Sequence, residues 1–177
     1  MKQFSLKDGQ RLTIRTAKHE DASNLINYVK KIGGESDYLT FGENEFEITV
    51  EKEEELLESF LISDNKLYII AEIDGKIVGS LNFSGGSRQR TKHTGEFGVS
   101  VEKKYWGLGI GRELINYLID WAEEGDVIKK INLRVREDNK RAIGLYEKLG
   151  FKKEGVISRG FFVNDEYYSF ICMGLEL

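Results

Sequence analysis

The chain has 177 residues, with 26 Lys plus Arg against 30 Asp plus Glu, one Cys and no Pro. That length suits one domain with a substantial core, and 40% apolar with 32% charged residues is the balance of a globular protein, not of a disordered or fibrous one. Cys172 has no partner for a disulfide, apolar runs such as Tyr68–Ala71 fall far short of the ~20 residues of a membrane span, and Met1–Asp8 lacks a signal peptide's apolar run, so a reducing cytoplasm is the expected compartment.

The net charge of −4 gives no general attraction to nucleic acid or to anionic membranes, and neither is an expected partner. The charge is uneven, however. Between Gly33 and Glu58 ten acids face a single base, Lys52, which leaves the rest of the chain with a positive excess.

Arg11–Arg15 alternates as a first strand, followed by a helix over Glu20–Ile32 with Leu25, Ile26 and Val29 on one face, ended by Gly33-Gly34. Thr49 can cap a helix running to about Ser63 with Leu56, Leu57, Phe60 and Leu61 as its apolar positions. Leu67–Ile73, Asp74-Gly75 and Lys76–Phe83 read as a tight β-hairpin. After a polar connection, Gly95–Val101 is a strand, and Leu114, Ile115, Leu118 and Trp121 mark a long amphipathic helix. Ile131–Val135 is a strand, Asn139–Leu149 a helix closed by Gly150, and a final strand pair turns at Asn164-Asp165. A strand, a helix of about 15 residues and another strand imply a parallel pair within a mixed sheet.

The most informative segment runs from Val99 through Trp106-Gly107-Leu108-Gly109-Ile110-Gly111-Arg112. Here a strand enters three alternating glycines and then a helix. Without Cβ atoms, successive backbone N–H groups can turn inward, and the helix start adds unpaired N–H groups and a positive dipole end, together an anion site. No Lys-Ser/Thr follows Gly111, as a P-loop would require, and the glycine spacing and late position differ from a dinucleotide-binding fingerprint. The alternative is a tight turn and nothing more.

This segment resembles the acyl-CoA pyrophosphate loop of the GNAT superfamily of N-acetyltransferases, whose Gln/Arg-x-x-Gly-x-Gly/Ala pattern falls on Trp106, Gly109 and Gly111, with Trp106 in the Gln/Arg place. Asn139–Phe151 is similar to that family's Asn-x-x-Ala-x-x-Leu-Tyr-x-x-x-Gly-Phe. The resemblance implies one domain over 1–177 with an α/β (α+β) GNAT fold: a mixed central sheet of about six to seven strands, about four helices and a splayed parallel strand pair.

It further implies that acetyl-CoA is the cosubstrate, with no metal. Its pantetheine would lie along the backbone of Val99, Ser100 and Val101 and its pyrophosphate on Gly107, Leu108, Gly109, Ile110 and Gly111, the N–H of Val99 serving an oxyanion. Read without the family, both valines are core residues. Tyr146 belongs to an Ala142, Leu145, Tyr146, Leu149 stripe that reads as a buried helix face; in the family this position is a phenol that protonates the departing thiolate. Asn139 reads as a helix N-cap or as a contact to CoA, and Arg112 and Arg141 as phosphate partners or solvated charges. Glu96, on the face of its strand opposite Val99 and Val101, is the candidate general base, against an ordinary surface carboxylate.

Glu35, Asp37 and Glu43, with Glu45, precede the second helix and are the candidate attractors of a cationic acceptor, whereas Glu51–Glu58 reads as a solvated helix face. Cys172 reads as core, and His19 and His93 lack metal-ligand spacing. The implied activity is transfer of acetyl from acetyl-CoA to a primary amine of a cationic small molecule by direct attack in a ternary complex, by a monomer or homodimer. The alternatives are a protein N-terminal or lysine acetyltransferase acting on a peptide amine, and a non-catalytic acyl-CoA sensor.

Overall fold

Among the described residues eight strands and four α-helices follow the order β1 (Lys2–Ser5), β2 (Arg11–Thr16), α1 (Ala22–Gly33), α2 (Val50–Leu61), β3 (Lys66–Ile73), β4 (Lys76–Gly85), β5 (Thr94–Val101), α3 (Ile110–Glu124), β6 (Lys130–Arg136), α4 (Lys140–Lys148), β7 (Lys152–Val163) and β8 (Glu166–Glu176). The computed structural model describes residues 1–43 and 45–177. One sheet runs β1-β2-β3-β4-β5-β6-β8-β7, antiparallel throughout except between β5 and β6. The sheet therefore has one strand more than the largest number expected. The addition is β1, whose four residues pair with β2 from Lys2↔Ile14 to Ser5↔Arg11 and are too few to carry a periodic signal.

Turn chemistry sets both hairpins. Asp74 and Gly75 have φ of 49° and 73°, and Asn164 and Asp165 have φ of 52° and 62°. Positive φ at both central residues matches the right-handed twist of the flanking strands, and Asn and Asp tolerate it better than other side chains. Thr49 caps α2 by accepting the Lys52 N–H at 3.4 Å.

Helices α3 and α4 cover one face of the sheet over a core that includes Phe83, Leu114, Leu118, Ile131 and Tyr146. On the other face α1 and α2 enclose Leu25, Tyr28, Leu57, Phe60, Tyr68 and Ile70. The packing of α2 departs from the stripe read from sequence. Glu53, Leu57 and Phe60 point inward while Leu56 and Leu61 are exposed, because residues spaced i, i+4, i+7 share one face and the leucines beside them are turned off it.

Glu53 is thereby only 1% exposed, and its Oε2 has no hydrogen-bond partner. Burial raises its pKa above the ordinary 4.5. A carboxyl whose pKa is higher in the folded than in the unfolded chain carries no ionisation penalty while protonated and destabilises the fold as pH rises through the unfolded value. Glu53→Gln is expected to match the parent in stability below about pH 4 and to exceed it by about 1–3 kcal/mol at neutral pH, read from urea unfolding across that range. An advantage that is independent of pH would show that ionisation of Glu53 is not the cause.

Candidate active site

The parallel ladder between β5 and β6 lasts for three pairs, ending at Glu96↔Asn132. Beyond it β5 stays on β4 as far as Val101 and β6 stays on β8 as far as Arg136, so the strands part into a wedge. The Glu102 N–H donates to the Val78 carbonyl at 2.9 Å. Antiparallel alternation then commits Ser100 and Gly98 to β4 and turns the main-chain groups of Val99 and Val101 into the gap. The Val101 carbonyl accepts the Trp106 indole N–H at 2.7 Å, and Val99 keeps its N–H and C=O toward the opening. The valine side chains pack on the core. Ser100 serves the opposite side, its hydroxyl lying 3.0 Å from the Tyr28 hydroxyl and 3.2 Å from that of Ser80.

The glycine loop lies at the mouth of the wedge. Gly107 and Gly109 have φ of 88° and 96°, a left-handed backbone that makes Gly the fitting residue at both positions. Gly109 is the N-cap of α3, so the N–H groups of Ile110, Gly111 and Arg112 lack helical partners. The Ile110 side chain is buried beneath them, which fixes the loop to the core while leaving its amides outward. The Arg141 guanidinium lies 5.6 Å from the Trp106 ring centroid, and both Arg112 and Arg141 border the cleft. Asn139 caps α4, accepting the Ala142 N–H at 3.1 Å. Unpartnered strand amides in the gap and orphan helix amides at its mouth fit one extended ligand with a peptide-like chain and a pyrophosphate.

Tyr146 forms the α4 wall. Its ring meets those of Phe97 and Phe151 edge-on, each at 6.0 Å between centroids, and burial pushes its pKa from 10.0 up to about 12. The phenol is thus held protonated at neutral pH while still bordering the cleft.

The opposite face of the wedge is polar. Glu96 Oε1 accepts the Arg134 Nε–H at 2.8 Å across the point where the strands part. Arg136, buried two residues further along β6, donates to Asp138 through Nε and Nη2 and to the Asp37 carbonyl through Nη1. Its guanidinium lies 4.4 Å from the Tyr38 ring centroid and 4.2 Å from that of Tyr168. The Asp37 carboxylate accepts from the Asn164 amide at 3.4 Å, so the loop after α1 is tied to the turn of the β7–β8 hairpin. The two halves enclose a cleft of about 1880 Å³.

Of the loop acids singled out in the sequence, Glu35, Asp37 and Glu45 border this cleft, and Glu35 accepts the Lys103 N–H at 2.8 Å. Glu43 lies against Gly34, and the Glu45 carboxylate accepts the Gly42 N–H at 2.7 Å. Sequence reasoning missed Arg134, Arg136 and the indole bond of Trp106. Arg134 and Arg136 alternate with core residues on β6, a pattern that places them on one face; their partners come from strands and loops distant in the chain.

The model of the acetyltransferase (GNAT) family matches residues 35–151, more than half of the chain. The SPbeta prophage-derived uncharacterized N-acetyltransferase YokL of Bacillus subtilis is 30% identical over 94% of this chain and 90% of its own. The L-amino acid N-acetyltransferase AaaT of Escherichia coli is 32% identical over 56% of this chain and 61% of its own length, less than two thirds. Among solved structures, a GNAT-family acetyltransferase from Streptococcus pneumoniae superposes with a TM-score of 0.92 at 30% identity, covering 94% of this chain and 99% of that one. YncA of Salmonella typhimurium, solved with acetyl-CoA, shares the fold with a TM-score of 0.81 at 20% identity, over 94% of each chain. With a strand pair that parts, a glycine loop at its mouth and these relatives, the chain belongs to the GNAT family of acetyltransferases.

Proposed function

We propose that this protein transfers an acetyl group from acetyl-CoA to the primary amine of a small molecule by direct attack within a ternary complex. The observation that carries the reading is the parting of β5 and β6 after Glu96↔Asn132, which leaves the Val99 amide facing a gap that ends at the glycine loop. Acetyl-CoA supplies the acetyl group as an activated thioester; the rest of the chemistry falls to this chain.

The amides of Gly109, Ile110 and Gly111, with Arg112 and Arg141, bind the pyrophosphate. The Val99 N–H faces the acyl oxygen and stabilises the negative charge that develops there. Glu96 takes the proton that the attacking amine must lose, and its bond to Arg134 fixes the carboxylate's direction. Tyr146 O–H gives its proton to the departing thiolate. No cysteine is found among the described residues that line the cleft, which supports direct attack over an acyl-enzyme. A small acceptor is favoured over a protein because the loop at Asp37–Tyr38 is fastened to Arg136 and to the β7–β8 turn, bounding the acceptor side, and AaaT acts by its name on amino acids.

Release of the CoA thiol, followed with a thiol reagent across a panel of amines and basic peptides, tests the activity; tight acetyl-CoA binding without release on any amine favours the sensor. Tyr146→Phe keeps the packing against Phe97 and Phe151 and is expected to lower kcat by about 10²-fold or more with little change in the Kd for acetyl-CoA. Unchanged turnover removes Tyr146 from the acid role. Glu96→Gln is expected to move the rise of kcat/KM with pH to higher pH, and an unaltered profile assigns the amine proton to another acceptor.

A further inference from the structure

We propose that Arg134 selects the acceptor: the amine acetylated here carries a carboxylate on the same or the adjoining carbon, as α-amino acids do, with its ammonium against Glu96 and its carboxylate against Arg134. The inference rests on the acetyl-transfer reading and names the substrate class of that site.

The Glu96–Arg134 bond spans the apex of the wedge on the acceptor face. It engages only Nε of the guanidinium, and Nη1 and Nη2 make no hydrogen bond among the described residues. Those two nitrogens hold four of the five N–H donors of an arginine. Phe170, itself buried, sits with its ring centroid 5.7 Å from the guanidinium carbon and steadies its plane. Both Glu96 and Arg134 border the cleft and are about half exposed, so a ligand can reach them.

Arg136 provides the internal contrast. It lies on the same face of the same strand, yet all three of its nitrogens donate to Asp138 or Asp37 and two tyrosines flank it. One arginine of β6 is closed by its neighbours and the other is open to the cleft. A guanidinium edge with free donors is shaped for two parallel bonds to a carboxylate. Since the anion and the cation here stand one hydrogen bond apart, the ligand that satisfies both carries its own opposite charges equally close. Ammonium, Glu96, Arg134 and carboxylate then alternate in sign. A polyamine would set a second cation against Arg134, which discriminates against it. The loop acids that border the cleft, Glu35, Asp37 and Glu45, accept from the Lys103 N–H, the Asn164 amide and the Gly42 N–H, and none of them pairs with Arg134, whose only hydrogen-bonded carboxylate among the described residues is Glu96.

The test compares L-amino acids with their α-amides, which keep the amine and side chain and lose the anionic charge. The parent protein is expected to favour the acid by at least about tenfold in kcat/KM. Arg134→Gln should penalise the acid about tenfold more than the amide and bring their ratio toward one, and Arg134→Lys should restore only part, since an ammonium lacks the planar fork. Calorimetric binding of the same ligands to the protein without acetyl-CoA should give the same ranking independently of turnover. Equal treatment of acid and amide by the parent, equal loss of both in Arg134→Gln, or a preference for polyamines overturns the proposal, as does an absence of both binding and turnover. Amino acid binding that depends on Arg134 without thiol release on any amine leaves the carboxylate site standing and removes the acetyl-transfer reading.

Discussion

The structure depends on a ladder that stops. Strands β5 and β6 share three residue pairs and are then drawn apart, β5 by its continuing bonds to β4 and β6 by its register with β8 through Arg136↔Phe170. Backbone amides that a continuous sheet would pair are left facing the cleft, open to a hydrogen-bonding ligand. The aromatic cluster of Phe97, Tyr146 and Phe151 supports the wedge from the α4 side, and the Glu96–Arg134 pair spans it on the other. The site is therefore a break in an otherwise regular sheet, bordered on one face by the aromatic cluster and on the other by the ion pair.

The two faces divide the work. On the α3/α4 side, the loop from Trp106 to Gly111 presents amides and the Arg141 guanidinium lies 5.6 Å from the Trp106 ring centroid. On the α1/α2 side β4, β5 and β6 present Ser80, Asn82, Glu96, Arg134 and Arg136, a polar floor beneath a loop held by Asp37 and Tyr38. Strand alternation makes this division possible: Val99 and Val101 give their side chains to one core while Glu96 and Ser100 point to the other side.

Much of this was legible in the sequence because it is local. The hairpin at Asp74-Gly75, the caps at Thr49 and Asn139, the glycine loop and the stripe of α3 each depend on residues within a few positions of one another. The wedge was legible only through the resemblance of two short motifs, since nothing in the composition of β5 or β6 says where their pairing ends. Arg134 and Arg136 were invisible for a different reason. Alternation puts both on one face, but Glu96 is 38 residues from Arg134 and Asp37 is 99 residues from Arg136, and it is these distant partners that leave one guanidinium open and close the other. Glu53 was masked by its own neighbours, as one carboxylate buried within an acidic run that otherwise reads as a solvated face.

The acidic window illustrates how a charge excess can serve structure. Glu35 accepts the Lys103 N–H at the turn leading from β5 into the glycine loop, while two residues later the Asp37 carbonyl holds Arg136 and its carboxylate meets Asn164. Glu102, buried in the same turn, accepts from Lys31 of α1 and from Lys104, and these bonds hold its pKa below the ordinary 4.5 even though burial acts in the opposite direction. One short stretch after α1 is thus fastened to the turn before the glycine loop and to the far wall of the cleft.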